Sequence, residues 1–293
     1  MQTRYLADKA VRVIFFSAAL VSVLILLGIF GMLFINGIRA FSEIGIGEFF
    51  FTSNWNPSAY KEPSYGILSM IVSTFLVTVG AMLIAVPLGI GTAAYLAEVA
   101  PERVRLFLKP TIELLAAIPS VAVGFIGIVL VGPFIAKVFG LNNGLTALNG
   151  SILLAIMSLP TIITVAEDAI RAVPNSFKEG SYALGANKWL TLVRVILPAS
   201  YSGIIAAIIL GMGRAIGETM TVLMATGNAT AMPEGFFDPV RTMTATIAIE
   251  LGEVPYGTTH YYALFAVGAL LFLISLVINL IAENLASKYR YKA

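Results

Sequence analysis

Apolar residues in this chain gather in long runs and do not alternate with polar ones, a pattern that argues for helices and against half-buried strands. The runs 13–36, 67–97, 114–136, 150–166, 201–226 and 261–282 are nearly free of charge, and the segments between them hold most of the charged residues. A helix needs roughly 17–25 residues to cross hydrocarbon, and each run reaches that length, 150–166 only at its lower limit. Backbone polar groups inside a bilayer must be bonded within their own segment, so the pattern predicts an all-α, polytopic membrane bundle of six transmembrane helices. Run 13–36 follows Arg4, Lys9 and Arg12 as a secretion signal would, but it is too long and no small-x-small cleavage site follows. It is expected to persist as a span. Pro87, Pro119, Pro133 and Pro160 fall within or at the ends of spans, where neighbouring helices must satisfy the freed carbonyls. The stretch 243–251 is apolar at helical spacing but too short to cross, and predicts a short helix near the outer surface.

Composition agrees with a lipid environment: hydrophobic residues make up 58% of the 293, charged residues 12%, and mean hydropathy is +0.91. A net charge of +2 with no Lys/Arg-rich block gives no footprint for nucleic acid. The chain has no cysteine, so disulfides and thiolate metal sites are excluded. The basic residues are distributed unevenly between the connections. Arg4, Lys9, Arg12, Arg103, Arg105, Lys109, Arg171, Lys178, Lys188, Arg194, Lys288, Arg290 and Lys292 fall on one side, against Arg39, Lys61, Lys137 and Arg241 on the other. The positive-inside rule then places both termini in the cytoplasm, as an even number of spans requires. The division expected is an N-terminal span with its external loop, 1–66, and a core of five spans, 67–293. Aromatics near the external loop edges, Trp55, Tyr60 and Tyr65, suit a headgroup belt, and His260 reads as an interfacial residue. Glu98 and Glu113 read as helix-end acids near the inner face.

Two stretches carry more specific chemistry. The longest internal connection, 167–198, reads EDAIRAVPNSFKEGSYALGANKWLTLVRVILP. Pro174 ends its first part, Asn175 or Ser176 can cap a helix, Gly185 marks that helix's end, and a second apolar-periodic stretch stops at Pro198. On spacing alone this is equally an interfacial amphipathic hairpin. The second stretch is GMGRAIGETM, 211–220, which sets Arg214 and Glu218 inside an apolar run. An arginine at a span's centre costs about 2.5–3.5 kcal/mol on insertion scales. On a continuous helix Glu218 lies one turn on, on the same face, and Gly211, Gly213 and Gly217 permit close packing. Mutual neutralisation is one account of the pair. The other is recognition of a tetrahedral oxyanion by the planar guanidinium, with Glu218 accepting a proton-bearing phosphate oxygen and repelling sulfate.

The internal loop resembles the signature of the inner-membrane permeases of ATP-driven importers: a Glu-Ala-Ala triplet, a glycine six residues after the Glu, and Leu-Pro near the end. Here Glu179, Gly180 and Ser181 stand at the triplet, followed by Gly185, Val195, Leu197 and Pro198. YGILSMIVSTFLVT, AVPLGIGTAAYLAE, IELLAAIPSVAVGF and GRAIGETMTVL resemble the phosphate-specific permeases, and Trp55-Asn56-Pro57 with Tyr65-Gly66 resembles their C-type subunit. The resemblance implies a type I importer permease fold in the inner membrane and a cytoplasmic coupling loop, 167–198, whose Glu179, Gly180, Ser181, Gly185, Leu197 and Pro198 serve docking on a separate ATPase dimer. It further implies a second related permease, an extracytoplasmic phosphate-binding protein, and a translocation path that includes Arg214 and Glu218. ATP with Mg is then expected on the ATPase and no cofactor on this chain, in which no G-x-x-x-x-G-K-[ST] loop occurs. Permeases for sulfate or molybdate, a gradient-driven anion transporter and a purely structural membrane subunit remain the alternatives at this point.

The charge asymmetry is testable directly, because any introduced cysteine is unique. Impermeant thiol reagents applied to intact cells are expected to label cysteines at 55 and 234 and to spare one at 178; labelling of 178 with 55 and 234 protected overturns the orientation.

Overall fold

The computed structural model describes residues 2–288. Arg290 and Lys292, counted in the charge asymmetry, lie outside the described residues, as do the side chains of Arg4, Lys9 and Lys288. In chain order the elements are α1 (Gln2–Ala40), α2 (Ile46–Phe51), β1 (Trp55–Asn56), β2 (Ser64–Tyr65), α3 (Leu68–Ala94), α4 (Glu102–Ala116), α5 (Ser120–Ile126) and α6 (Gly132–Phe139). They continue with α7 (Ala147–Arg171), α8 (Asn175–Ala183), α9 (Lys188–Thr191), α10 (Leu197–Ala199), α11 (Tyr201–Gly217), α12 (Met220–Ala225), α13 (Met243–Glu250) and α14 (Thr259–Lys288). Three π-helical turns, Tyr95–Val99, Gly127–Val131 and Leu192–Ile196, extend α3, join α5 to α6 and join α9 to α10. Among the described residues five helices are long and apolar enough to cross a membrane, and six if the pair Lys188–Ala199 and Tyr201–Gly217, bent by 70°, is counted as one span.

Helix α7 is the centre of the bundle. It packs most extensively on α3, then on α11, and small residues make this possible. A side chain at Gly150 would strike Thr226, and one at Gly89 would strike Ile162; Ala81, Ala85 and Ala155 along the same seam are fully buried. Protein surrounds α7 on most sides, so it tolerates Asn149, Ser151, Ser158 and Glu167 where a lipid-facing helix would not, and this is why its run looked short. Its true extent is Ala147–Arg171. By contrast α1 leans on α14 through its C-terminal half and leaves most of its apolar surface, from Val11 to Ile29, exposed.

Two of the expected spans are interrupted. The run 114–136 divides at 117–119: α4 ends at Ala116, and the span proper begins at Ser120 with Pro119 extended before it at ψ 135. The proline ring disfavours helix at the residue before it without forbidding it, as Pro87 and Pro160 lie within helices. The run 201–226 breaks at Glu218, whose backbone is extended (φ −68, ψ 133), so α11 and α12 are separate helices. Arg214 and Glu218 therefore do not share one continuous helical face, contrary to the expectation. In α6, Pro133 follows the Gly127–Val131 turn; Asn149 of α7 donates Nδ2 at 3.0 Å to the Gly127 carbonyl, which also takes the Gly132 N–H, and so ties α7 to the start of that turn.

The two ends of the bundle differ in charge. The basic end carries α4, α8, α9 and α10. The acidic end carries the β1–β2 hairpin, α2 and α13. The short helix expected at 243–251 is present as α13, at the acidic end, and it buries its first turn: Met243 N–H donates to Thr74 Oγ1 at 3.1 Å, and Thr244 Oγ1 donates to the Glu218 carbonyl at 2.8 Å. Its last residue, Glu250, gathers the whole acidic end. It accepts from Trp55 Nε1 at 3.0 Å and from Arg241 Nη1 at 2.7 Å, and His260 Nε2 lies 2.8 Å away. Trp55 and His260 are thus structural partners of one carboxylate.

Burial raises the Glu250 carboxyl, but the bonds from His260 and Trp55 and the Arg241 charge more than offset this and hold it below its ordinary value. A depressed carboxyl stabilises the fold above its unfolded value of about 4.3, and that contribution is lost as pH falls through the lowered one. Trp55 is 4% exposed and the only other tryptophan is Trp189, so in a Trp189→Phe protein indole fluorescence is expected to shift red in that acid range. Glu250→Gln should abolish the transition; an unchanged acid transition in that variant overturns the assignment.

Candidate functional site

Arg214 ends α11 in the last turn, half-buried, and reaches across the break between α4 and α5. Its Nη2 donates to the Ala116 carbonyl and its Nη1 to Thr161 Oγ1 of α7, both at the long distance of 3.5 Å. Ala116 closes α4, where carbonyls lack intrahelical partners and a cation is favoured. Among the described residues Arg214 makes no ion pair, with Glu218 or any other acid. A guanidinium has five N–H donors, and two long bonds leave most of its capacity unspent.

Glu218 serves the backbone. Its Oε1 accepts from Thr221 N–H at 3.2 Å and so caps α12, while its carbonyl accepts from Thr244. Thr221 in turn donates Oγ1 to the Ser120 carbonyl at 3.1 Å, at the start of α5. The two helix breaks, 117–119 and 218–219, are therefore tied together with Arg214 beside them. Sequence reasoning found Arg214 and Glu218 from charge in an apolar run. It missed Thr161, Ser120, Thr221 and Thr244, whose hydroxyls read as ordinary residues until the chain folds. The glycines behave differently from one another: a side chain at Gly211 would strike Ile162, whereas Gly213 and Gly217 have nothing within 4 Å and face outward.

The basic end carries the second group of candidates. Helix α8 starts at Asn175 behind Pro174, with no side-chain cap from Asn175 or Ser176. It ends as the spacing suggests: Gly185 has φ +84, its N–H donates to the Tyr182 carbonyl at 2.9 Å, and Ala186 N–H donates to the Ser181 carbonyl at 3.2 Å. This pair of bonds is the Schellman arrangement, which requires a left-handed residue. Asn187 Oδ1 then accepts from Leu190 N–H and caps α9. Glu179 and Gly180 face outward, as do Tyr182, Leu184 (91% exposed) and Trp189 (72% exposed). Ser181 faces inward and shares a 2.9 Å hydroxyl bond with buried Thr191. Leu197 and Pro198 form the start of α10, just before the 70° bend into α11.

Beside this loop Glu167, fully buried at the end of α7, holds α4 in place. Arg105 Nε lies 3.1 Å and Lys109 Nζ 2.7 Å from its carboxylate, with Arg171 at 3.8 Å. Partial burial alone would lower the Lys109 ammonium, but bonds to Glu167 and Asp168 raise it above the usual lysine range. Glu98, in the π turn after α3, pairs with Lys178 of α8 at 2.6 Å, while Glu113 stays exposed.

A family model described as binding-protein-dependent transport system inner membrane component matches residues 85–291. The probable ABC transporter permease protein YqgH of Bacillus subtilis (strain 168) is 38% identical, over 98% of this chain and 93% of that protein. The phosphate transport system permease protein PstC of Mesorhizobium japonicum is 36% identical over 91% of this chain and 86% of its own length. PstC 1 of Mycobacterium bovis is 35% identical over 82% of each chain. A chain of the inward-facing MetNI methionine ABC transporter shares the fold at a TM-score of 0.57, with 18% identity, over 76% of this chain and 94% of that one. This multi-pass helical chain thus belongs to the family of binding-protein-dependent transport system inner membrane components.

Proposed function

We propose that this chain is the C-type permease subunit of an ATP-driven phosphate importer, and that Arg214 binds the passing anion. The observation that carries the reading is the half-buried guanidinium at two joined helix breaks, with no carboxylate among the described residues paired to it and only long bonds at 3.5 Å. A permanently charged group held in an apolar span without a counterion has a use in binding a transient one. The fork geometry suits a tetrahedral oxyanion, and the relatives named phosphate permeases favour phosphate among the oxyanions. Glu218 stands one residue beyond α11 and keeps one carboxylate oxygen free of the Thr221 bond. It accepts a hydrogen bond from the O–H that phosphate retains near pH 7 and repels a fully ionised sulfate.

In this reading α8 to α10 form the coupling loop, with both termini cytoplasmic and the acidic end outside. Glu179, Gly180, Tyr182 and Leu184 present the outward face to an ATPase dimer that binds ATP and Mg. A second related permease completes the path, and an extracytoplasmic phosphate-binding protein meets the acidic end.

Gly185→Val tests the loop. A β-branched residue at φ +84 costs at least about 1–2 kcal/mol and turns α8 away from its seat. The variant is expected in the membrane at normal level, with phosphate-stimulated ATP hydrolysis lost; wild-type transport by a well-expressed protein removes the assignment.

Arg214 and Glu218 are tested by uptake into vesicles. Arg214→Lys keeps the charge and loses the fork, and should slow phosphate uptake about tenfold, the equivalent of one charge-assisted hydrogen bond of ~1.5 kcal/mol. Arg214→Gln should abolish uptake without loss of assembly. Glu218→Gln retains an oxygen to cap α12, so assembly should persist while phosphate slows and discrimination against sulfate narrows. If the two residues only compensate each other, Arg214→Met/Glu218→Leu restores both assembly and uptake, and full uptake by that double variant ends the pathway reading.

A further inference from the structure

Helix α8 is anchored to the bundle by more than apolar contact. Its inward side presents Phe177 to a cluster built from Ala94 of α3, Ile170 of α7, Leu192 and Ile196 of the π turn, and Ile204 of α11. Such a cluster holds α8 close but does not fix its position along the surface, because apolar contact is non-directional. Two polar links do fix it. The Ser181–Thr191 hydroxyl bond ties α8 to α9, and through the Leu192–Ile196 turn and the 70° bend to α11 and Arg214. The Lys178–Glu98 pair, at 2.6 Å with side chains 20% and 13% exposed, ties α8 to the Tyr95–Val99 turn and so to α3.

We infer that Glu98 and Lys178 are positioning residues for energy coupling: their ion pair makes α3 follow α8 when the coupling loop moves. The inference rests on the reading of α8 as the docking helix, and it names a residue outside the loop signature as part of the transmission. Three observations converge on it. First, Glu98 stands in a π-helical turn, where the α-helical ladder is already broken; such turns recur at functional sites. Second, α3 and α11 both pack on α7, and Arg214 of α11 reaches Thr161 of α7, so α3 and α11 converge on the helix that touches the anion-binding arginine. A displacement of α8 that moved α11 alone would shear α11 across α7. A rigid strap to α3 lets both flanking helices move with the loop. Third, the pair is short and mostly removed from solvent, so losing either partner strands a charge instead of exposing it to water.

The test uses the complete transporter in vesicles with its binding protein. Two ratios are read: ATP hydrolysed per phosphate imported, and stimulated over basal hydrolysis. Glu98→Gln and Lys178→Met are each expected to raise the first ratio about fivefold and to flatten the second. The charge exchange Glu98→Lys/Lys178→Glu should restore both ratios toward wild type. The apolar double Glu98→Met/Lys178→Met should assemble well and stay uncoupled, because it packs without direction. A pair that only stabilises the fold predicts the opposite: lower amounts of complex for the singles, unchanged ratios in what assembles, and normal coupling in the apolar double. Either wild-type ratios in assembled singles or normal coupling in the apolar double overturns the inference. Stimulated over basal hydrolysis reads the pair whichever anion is carried, so a wild-type complex that hydrolyses ATP without importing phosphate refutes the substrate assignment separately.

Discussion

Every backbone group at membrane depth must find a partner in the protein, and the centre of this fold is arranged around two places where the helix stops supplying one. The breaks at 117–119 and 218–219 each leave helix-end groups to be satisfied from outside. Glu218 bonds Thr221 N–H, Thr244 bonds the Glu218 carbonyl, Thr221 bonds the Ser120 carbonyl, and Arg214 bonds the Ala116 carbonyl. Glu218, Thr244 and Arg214 each answer an interruption, and Thr221 links the two breaks through the Ser120 carbonyl. The Glu218–Thr221 bond is a local cap, while the other three cross between helices and join the breaks into one polar site.

This arrangement changes the meaning of the two charged residues. On a continuous helix they would be a neutralising pair, and a buried pair is often worth no more than apolar packing. Broken at Glu218, the helix separates their tasks: the carboxylate is committed in part to capping α12, and the guanidinium is left with weak carbonyl and hydroxyl contacts. An arginine with spare donors in a dry environment is costly unless something binds it. Under the function proposed above, Arg214 meets that condition intermittently, when the anion passes.

The spans, the basic asymmetry, Gly185 and the Leu-Pro at the loop's end were legible because each rests on a local rule: length of an apolar run, charge at its flanks, a left-handed cap, a proline stop. The breaks were not. Pro119 in IPSVA disfavours helix before it without enforcing a stop, and Glu218 in AIGETM looks helical by spacing; the carbonyl of its extended residue is taken by Thr244 of α13, 26 positions later. For the same reason the burial of α13's first turn was not legible, since Thr74 of α3 accepts its first N–H. The run 150–166 understated α7 because hydropathy scores lipid exposure, and α7 is enclosed by protein. Glu167 with Arg105 and Lys109, and Glu98 with Lys178, pair across 62 and 80 positions, and only the folded chain brings them together.

The departure of the loop from the Glu-Ala-Ala triplet has a physical account of its own. Alanine at both positions would favour helix, and glycine costs up to about 1 kcal/mol in its place. Gly180 is exposed with open space around it, so nothing in the packing demands a glycine there. Ser181 is different: it faces Thr191, and its hydroxyl makes a buried cross-helix bond that alanine cannot make. Together with the Lys178–Glu98 pair and the Schellman bonds at Gly185, it fixes α8 from its inner side, its flank and its end. A helix that passes force to its own bundle needs directional anchors on the face away from whatever pushes it. Under the reading proposed for α8, these polar bonds supply them, and the outward residues are left for the ATPase surface.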